Sequence, residues 1–296
     1  MNISKNLDLA IKAQETDAVD NGYVVDGKSY NTYMTTSVWE SFKKSMSPSA
    51  LKEYGDGNGS ELVEKNGRPP KMACYGSSSR MIYMLSRNTP GFHYEKKLAT
   101  TVGGIANLDG FYEDNTRYIF VEAKCHEPYS AKNHTVSISY KKLYSFINEH
   151  MSCNIEIVMK PRKSGRDMDV EYFAAGEKIE YFDIKQMICH LLGVATGIFK
   201  KSFQQKKFDF IYLLYDPTKL ALASDVKCVV DSIYDRTCFE CNRIDFVTLF
   251  CVILKFLKAE FYKDILSDDA IEKIADQFTF ALSSQNDYPA LLQKTE

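Results

Sequence analysis

The chain is expected to be a mixed α/β (α+β) protein with a central sheet, flanking helices and a helical C-terminal region. Three observations predict this. From about residue 76 to residue 215 the segments run helix, three strands, helix, strand, helix, strand. The three consecutive strand-like runs are separated by Gly103-Gly104 and Asp114-Asn115, which are hairpin punctuation. From Val226 to Ser284 the apolar residues recur mostly at helical spacing.

Residues 1–50 mix polar and aromatic character, with one amphipathic helix expected near Ser37–Ser45. Gly55-Asp56-Gly57-Asn58-Gly59-Ser60 through Arg68-Pro69-Pro70 is loop composition. A boundary near residue 70 would divide an N-terminal extension (1–70) from a core (71–220) and an acidic helical region (221–296). Ser77-Ser78-Ser79 precedes Arg80-Met81-Ile82-Tyr83-Met84-Leu85, a helix start in which a serine hydroxyl caps free N–H groups. Asn88-Thr89-Pro90-Gly91 ends that helix. Strands are expected over Tyr94–Val102, Ile105–Tyr112 and Arg117–Cys125. Ser137–His150 reads as a helix with Ile138, Leu143, Phe146 and Ile147 on one side, and Ile155–Met159 as a short buried strand. Asp183–Lys201 reads as a helix and Phe208–Tyr215 as a strand. In the last third, Asp245–Phe261 carries the best helical pattern.

The bulk numbers exclude some classes. With 296 residues, 45% hydrophobic, 19 Tyr and 18 Phe, the chain can bury a sizeable core and is not a disordered protein. No run of 18 apolar residues predicts a membrane span. The first twelve residues lack the apolar stretch of a secretory signal. Eight cysteines are therefore expected to be reduced thiols of a cytoplasmic protein. The net charge is −2, but residues 130–207 carry +5 and residues 208–296 carry −6. A local basic surface in the middle of the chain is thus compatible with a neutral total.

The chemistry concentrates in Asn107-Leu108-Asp109-Gly110 and in Arg117-Tyr118-Ile119-Phe120-Val121-Glu122-Ala123-Lys124. On a strand, Glu122 and Lys124 project to one face, roughly 6.5 Å apart. Opposite charges on an otherwise apolar strand are costly unless something binds there. Asp109 on the neighbouring strand would complete a site for a hard divalent cation. Mg²⁺, with Mn²⁺ able to substitute, suits one or two carboxylates plus water and phosphate oxygens. Such a metal polarises a phosphoryl oxygen and activates water, and Lys124 beside it could stabilise developing charge or position the water. The plainer reading is that Asp-Gly is a turn and Glu-x-Lys the solvated face of an edge strand.

Asp109-Gly110 followed by Glu122-Ala123-Lys124 at a strand end resembles the PD-(D/E)xK nuclease superfamily. With Phe92-His93-Tyr94-Glu95 upstream and Cys125-His126-Glu127 downstream, the run is similar to a restriction-endonuclease-like branch of bacterial proteins. The resemblance spans about residues 76–215. It implies a restriction-endonuclease-like αβββαβ core, which the elements from Ser77 to Met159 would supply, with a mixed central sheet flanked by helices. It also implies Asp109 and Glu122 as metal ligands, the Ala123 carbonyl as an additional ligand and Lys124 as the catalytic lysine. Leu108 stands where the superfamily usually has proline. Ser77–Arg87 lacks the family's first-helix acid, and Glu95 is its natural substitute, as a further ligand or base; a plain surface residue paired with Lys96 or Lys97 is the rival reading.

Lys160, Arg162, Lys163 and Arg166 cluster in one loop, Lys141-Lys142 open a helix, and Lys200-Lys201 and Lys206-Lys207 flank another. Together they form a candidate phosphate-binding surface, although any single pair reads as solubilising charge. Gln186 and His190 sit at i and i+4 of one helix, as neighbours of the site or DNA, or as ordinary core polar groups. Ser77, Ser78 and Arg80 are helix caps or phosphate contacts. His126 could assist the site. Cys238-Phe239-Glu240-Cys241 with Cys228 and Cys251 lacks the second tight pair of a structural zinc site.

The expected function is a Mg²⁺-dependent nuclease cutting DNA by direct hydrolysis, with endonuclease action favoured and the restriction or defence role implied by the resemblance. The alternatives are a catalytically inactive nuclease-like module that binds nucleic acid or a partner, and a metal-dependent enzyme acting on nucleotides. Cutting both strands at a symmetric site would require a homodimer or sequential nicking.

Overall fold

The computed structural model describes residues 2–15, 22–25, 31–57, 61–129, 134–151, 155–161, 167–204 and 206–293. The chain opens with α1 (Ile3–Gln14), an antiparallel pair β1 (Tyr23–Val25) and β2 (Thr32–Met34), then α2 (Thr36–Ser45) and α3 (Pro48–Gly55). Next come α4 (Ser78–Ser86), β3 (His93–Ala99), β4 (Ile105–Glu113) and β5 (Arg117–Lys124). The middle of the chain adds β6 (His134–Ser137), α5 (Lys141–His150), β7 (Ile155–Pro161), β8 (Asp167–Ala174) and β9 (Glu177–Ile179). Helix α6 (Ile184–Phe199) and strand β10 (Lys207–Leu214) follow. The chain closes with α7 (Ser224–Asn242), α8 (Phe246–Glu260), α9 (Asp268–Asp276), β11 (Phe278–Ser284) and α10 (Tyr288–Gln293).

The central sheet has five strands in the order β11-β10-β5-β4-β3. β3, β4 and β5 form an antiparallel meander, while β10 lies parallel to β5 and β11 parallel to β10. Parallel neighbours need both faces covered, and β5 shows it, with every residue from Tyr118 to Lys124 buried. Tyr118 and Phe120 enter one core with Leu191 and Phe210, on the α6 and α8 side. Ile119, Val121 and Ala123 enter a second core with Trp39, Tyr54 and Ile82. Each fully buried large apolar side chain contributes about 1.5–3 kcal/mol. Part of the N-terminal region is therefore packed into the protein: Met34, Trp39, Met46 and Tyr54 bury against α4 and the sheet.

Three expectations are corrected. The strand at Ile155–Met159 does not join the central sheet as the end of an αβββαβ unit. It pairs antiparallel with β8 in a separate sheet with β6 and β9. The helix and strand that complete the central sheet are α6 and β10. The near-continuous apolar run Phe208-Asp209-Phe210-Ile211-Tyr212-Leu213-Leu214 suits a strand covered on both faces. The C-terminal region is also not wholly helical, since Phe278–Ser284 forms the β11 edge. Ile138 is exposed in a short 3-10 turn ahead of α5, not on its buried face. Other boundaries match closely: Ser77 caps α4, Asp183 caps α6 and Asp245 caps α8, each accepting a backbone N–H. No helix among the described residues is long and apolar enough to cross a membrane.

Candidate active site

The parallel register of β5 and β10 sets Glu122 beside Tyr212 and Lys124 beside Leu214. Both charged side chains are nearly enclosed, Glu122 at 1% and Lys124 at 6% exposure. Lys124 Nζ donates to Glu122 Oε1 at 2.6 Å and to Gln186 Oε1 on α6 at 2.6 Å. His190, one turn further along α6 and 2% exposed, brings Nε2 within 2.8 Å of Glu122 Oε2. That approach is a close contact whose angles fall outside hydrogen-bond geometry. Burial pushes the Glu122 carboxyl up, but Lys124 and His190 outweigh it and hold the group below its usual range. Burial pulls the Lys124 ammonium down, yet the Glu122 charge lifts it well above the ordinary lysine value. Lys124 is therefore a protonated ammonium.

Asp109 and Glu95 occupy a place where the sheet ladder is interrupted. The β4–β5 pairing runs from Glu113↔Tyr118 to Gly110↔Val121 and stops. Beyond it, Asp109 Oδ2 accepts the Ala123 N–H at 2.7 Å. The β3–β4 pairing holds at Tyr94↔Gly110 and Lys96↔Leu108 but skips Glu95, which faces Asp109 in register. Glu95 has φ +51°, a left-handed backbone that costs a non-glycine residue about 1–3 kcal/mol. The faces of both strands invert across this point. Tyr94 lies in the core beside α4 and Leu98 in the core beside α6. Leu108 lies in the α6 core, while a Cβ on Gly110 would stand 2.5 Å from Phe92 Cζ on the other side. Asp-Gly is therefore not a turn here. Gly110 is required mid-strand because Phe92 fills the space of a side chain.

Glu95, Asp109 and Glu122 thus form a row across three adjacent strands. Burial and the neighbouring Glu122 charge raise the Asp109 carboxyl well above its usual value. Burial and Glu61 raise Glu95 to about 7. Glu95 forms no ion pair with Lys96 or Lys97: Lys96 sits over the Phe111 ring, and Lys97 donates to the Asp56 carbonyl.

The row opens into a polar cavity of ≈ 440 Å³ whose lining also includes Glu61, Lys71, Ser77, Asn107, Glu127 and Gln186. Several of these were not singled out from sequence. Glu127 is folded back, its Oε2 accepting the Cys125 and His126 N–H groups at 2.9 and 3.1 Å. Its sequence signals are its closeness to Lys124 and its place in the Cys125-His126-Glu127 stretch. Glu61 comes from the loop before residue 70 and had no periodicity to mark it. It accepts from Lys71 Nζ at 2.7 Å and from Ser79 Oγ at 2.9 Å.

Other expected residues divide clearly. Gln186 lines the cavity, but buried His190 cannot touch a polymer and instead braces Glu122. Ser77 and Ser78 line the cavity, and Ser77 also caps α4. Arg80 is committed to Glu15 in a two-pronged pair at 2.5 and 2.6 Å. His126 lies 2.7 Å from buried Asp8 and does not line the cavity. Lys142 pairs with Glu260 and Lys206 with Glu113. Lys206 and Lys207 adjoin Arg117, at the opposite end of β5 from Lys124. Lys141 is exposed on α5 and does not line the cavity. Arg162, Lys163 and Arg166, and the side chain of Lys160, lie outside the described residues. No disulfide links the described cysteines, of which Cys125 and Cys241 are buried and Cys228 is exposed.

Among the described residues, no three His, Cys, Asp or Glu side chains are grouped so as to hold a metal ion. Glu122 Oε1 is engaged by Lys124, while Asp109 Oδ1 accepts no hydrogen bond from any described residue. Ala123 presents its N–H, not its carbonyl, to Asp109. Compared with family models, curated proteins and solved structures, the chain finds no match.

Proposed function

We propose that this chain is a metal-dependent nuclease of PD-(D/E)xK type that hydrolyses DNA phosphodiester bonds as an endonuclease of restriction or defence character. The observation that carries the reading is the row Glu95, Asp109 and Glu122, with Lys124, on one interrupted stretch of sheet. Such a row gathers negative charge in a buried place: burial first, and a neighbouring carboxylate second, raise two of its carboxyls above their ordinary range. The order α4, β3, β4, β5, α6, β10, with β10 parallel to β5, supports the same reading.

Asp109 and Glu122 would hold Mg²⁺, with the Ala123 carbonyl and Glu95 as further ligands. Bound there, the ion would supply Lewis acidity toward the phosphoryl oxygen and lower the pKa of water. Lys124 stabilises the negative charge that develops on the phosphate, held in place by Glu122 and Gln186. His190 and Lys124 orient the Glu122 carboxylate from its two oxygens. Glu95 and Asp109 are the carboxyls of the row without an ion-pair partner; Asp109 accepts the Ala123 N–H, and Glu95 would act on water or metal.

Supercoiled plasmid with Mg²⁺ or Mn²⁺ tests the proposal. Cleavage is expected to disappear with EDTA and to fall by about 10²-fold or more in Lys124→Ala. Cutting that survives Lys124→Ala would place the site elsewhere. A second reading, a silent nucleic-acid-binding module, is favoured by one observation: Lys124 and His190 already occupy both oxygens of Glu122. DNA binding without cutting on any substrate would select it.

A further inference from the structure

Lys71 stands at the cavity on a segment outside the central sheet. It opens a short 3-10 turn, Lys71–Ala73, whose other two residues are buried. The turn is tied to the preceding loop by Met72 N–H donating to the Glu61 carbonyl at 3.1 Å. Glu61 then joins three parts: its own loop, Lys71 through Oε1, and the first turn of α4 through Ser79 and Oε2. Its side chain is 5% exposed, whereas that of Lys71 is 58% exposed. An ammonium has three donors, and the Glu61 contact uses one.

The charge around the cavity makes this lysine matter. Glu61, Glu95, Asp109, Glu122 and Glu127 line it, against Lys71 and Lys124. A phosphodiester entering such a field meets repulsion, and a cation beside its path offsets part of it. Lys124 is enclosed and spends two donors on Glu122 and Gln186. Lys71 is the cavity cation that keeps donors open to solvent.

We propose that Lys71 is a substrate-contacting residue, binding a phosphodiester oxygen at the cavity mouth, and that Glu61 is the positioning residue that holds it there; this rests on the nuclease reading above. The segment from Glu61 to the turn at Lys71 thereby becomes part of the working site.

Duplex DNA binding as a function of salt tests this, in EDTA and again with Mg²⁺ in a Lys124→Ala background. Removing one phosphate contact lowers the steepness of log affinity against log salt by about one. Lys71→Ala should therefore bind more weakly at low salt, with its deficit shrinking about 3-fold between roughly 50 and 200 mM. Lys71→Arg should keep most of the slope, and Glu61→Gln should lose part of it. In cleavage, Lys71→Ala should raise KM while kcat changes little, with thermal unfolding reporting that the variant is folded. Unchanged affinity and slope in folded Lys71→Ala, with wild type cutting DNA, would overturn the assignment of Lys71 alone. A wild type that neither binds nor cuts DNA would overturn the nuclease reading and this inference with it.

Discussion

Replacing Glu95 by glutamine should make the metal-free protein clearly more stable at pH 8 and only slightly so at pH 5. Burial and Glu61 move the Glu95 carboxyl from an ordinary 4.5 to about 7. Above pH 4.5 the unfolded chain releases this proton, while the folded protein keeps it until about pH 7. Across that window the native state binds more protons, so stability falls as pH rises and then levels off. At about 1.4 kcal/mol per pH unit the full effect would be roughly 3 kcal/mol. Solvent reaching the cavity reduces it to about 2 kcal/mol. Glutamine keeps the shape and the left-handed backbone, so that strain cancels in the comparison. The assay is thermal or urea unfolding of wild type and Glu95→Gln in EDTA at pH 5 and pH 8. About 2 kcal/mol corresponds to a rise of roughly 4–8 °C in Tm at pH 8. Equal Tm differences at the two pH values would refute the reasoning, because they would show that Glu95 ionises in the folded protein as it does in water.

Two further perturbations test the scaffold. Glu240, buried on α7, accepts the N–H groups of Glu180, Tyr181 and Phe182 at 3.1, 2.8 and 3.0 Å, just before the Asp183 cap of α6. Glu240→Ala should lower urea stability by about 2–4 kcal/mol, since three donors, that of Phe182 buried, lose their charged acceptor; a loss below about 0.5 kcal/mol would mean that water replaces it. Gly110→Ala would place a Cβ against Phe92. It should cost about 1–3 kcal/mol by overpacking and reduce cleavage more than Lys71→Ala does, because Asp109 is adjacent. Full cleavage by that variant would show that Phe92 yields freely.

The parts of the site carried by local pattern were legible. A β-branched and aromatic run marks β5, and Glu122 and Lys124 break it at positions two apart, so their shared face follows from strand geometry. Glu95 could be named because it sits on the next predicted strand, but the left-handed φ and the inverted faces that give it meaning had no signal in residue type. Glu61 and Lys71 could not be found, since loop residues have no period that says where they point. The misplaced strand has a plain cause. Ile155–Met159 and Phe208–Leu214 are both short apolar runs, and periodicity does not say which will pair with β5. Long-range pairing decided between them. β11 was missed for a similar reason, as Phe278–Ser284 is short and follows three helices.

The sheet topology also bears on how the protein is made. A ribosome delivers the N-terminal part first, at roughly 5–20 residues per second. The β3–β4–β5 meander can therefore form soon after Lys124 emerges. Its ammonium waits 62 residues for Gln186, and β5 acquires its parallel neighbour only after β10 follows α6. Until then Glu122 and Lys124 stand on a solvated edge. A partly synthesised chain thus carries the reactive residues in sequence but not yet in position, so the enzyme proposed above becomes dangerous to DNA only once most of it has left the ribosome.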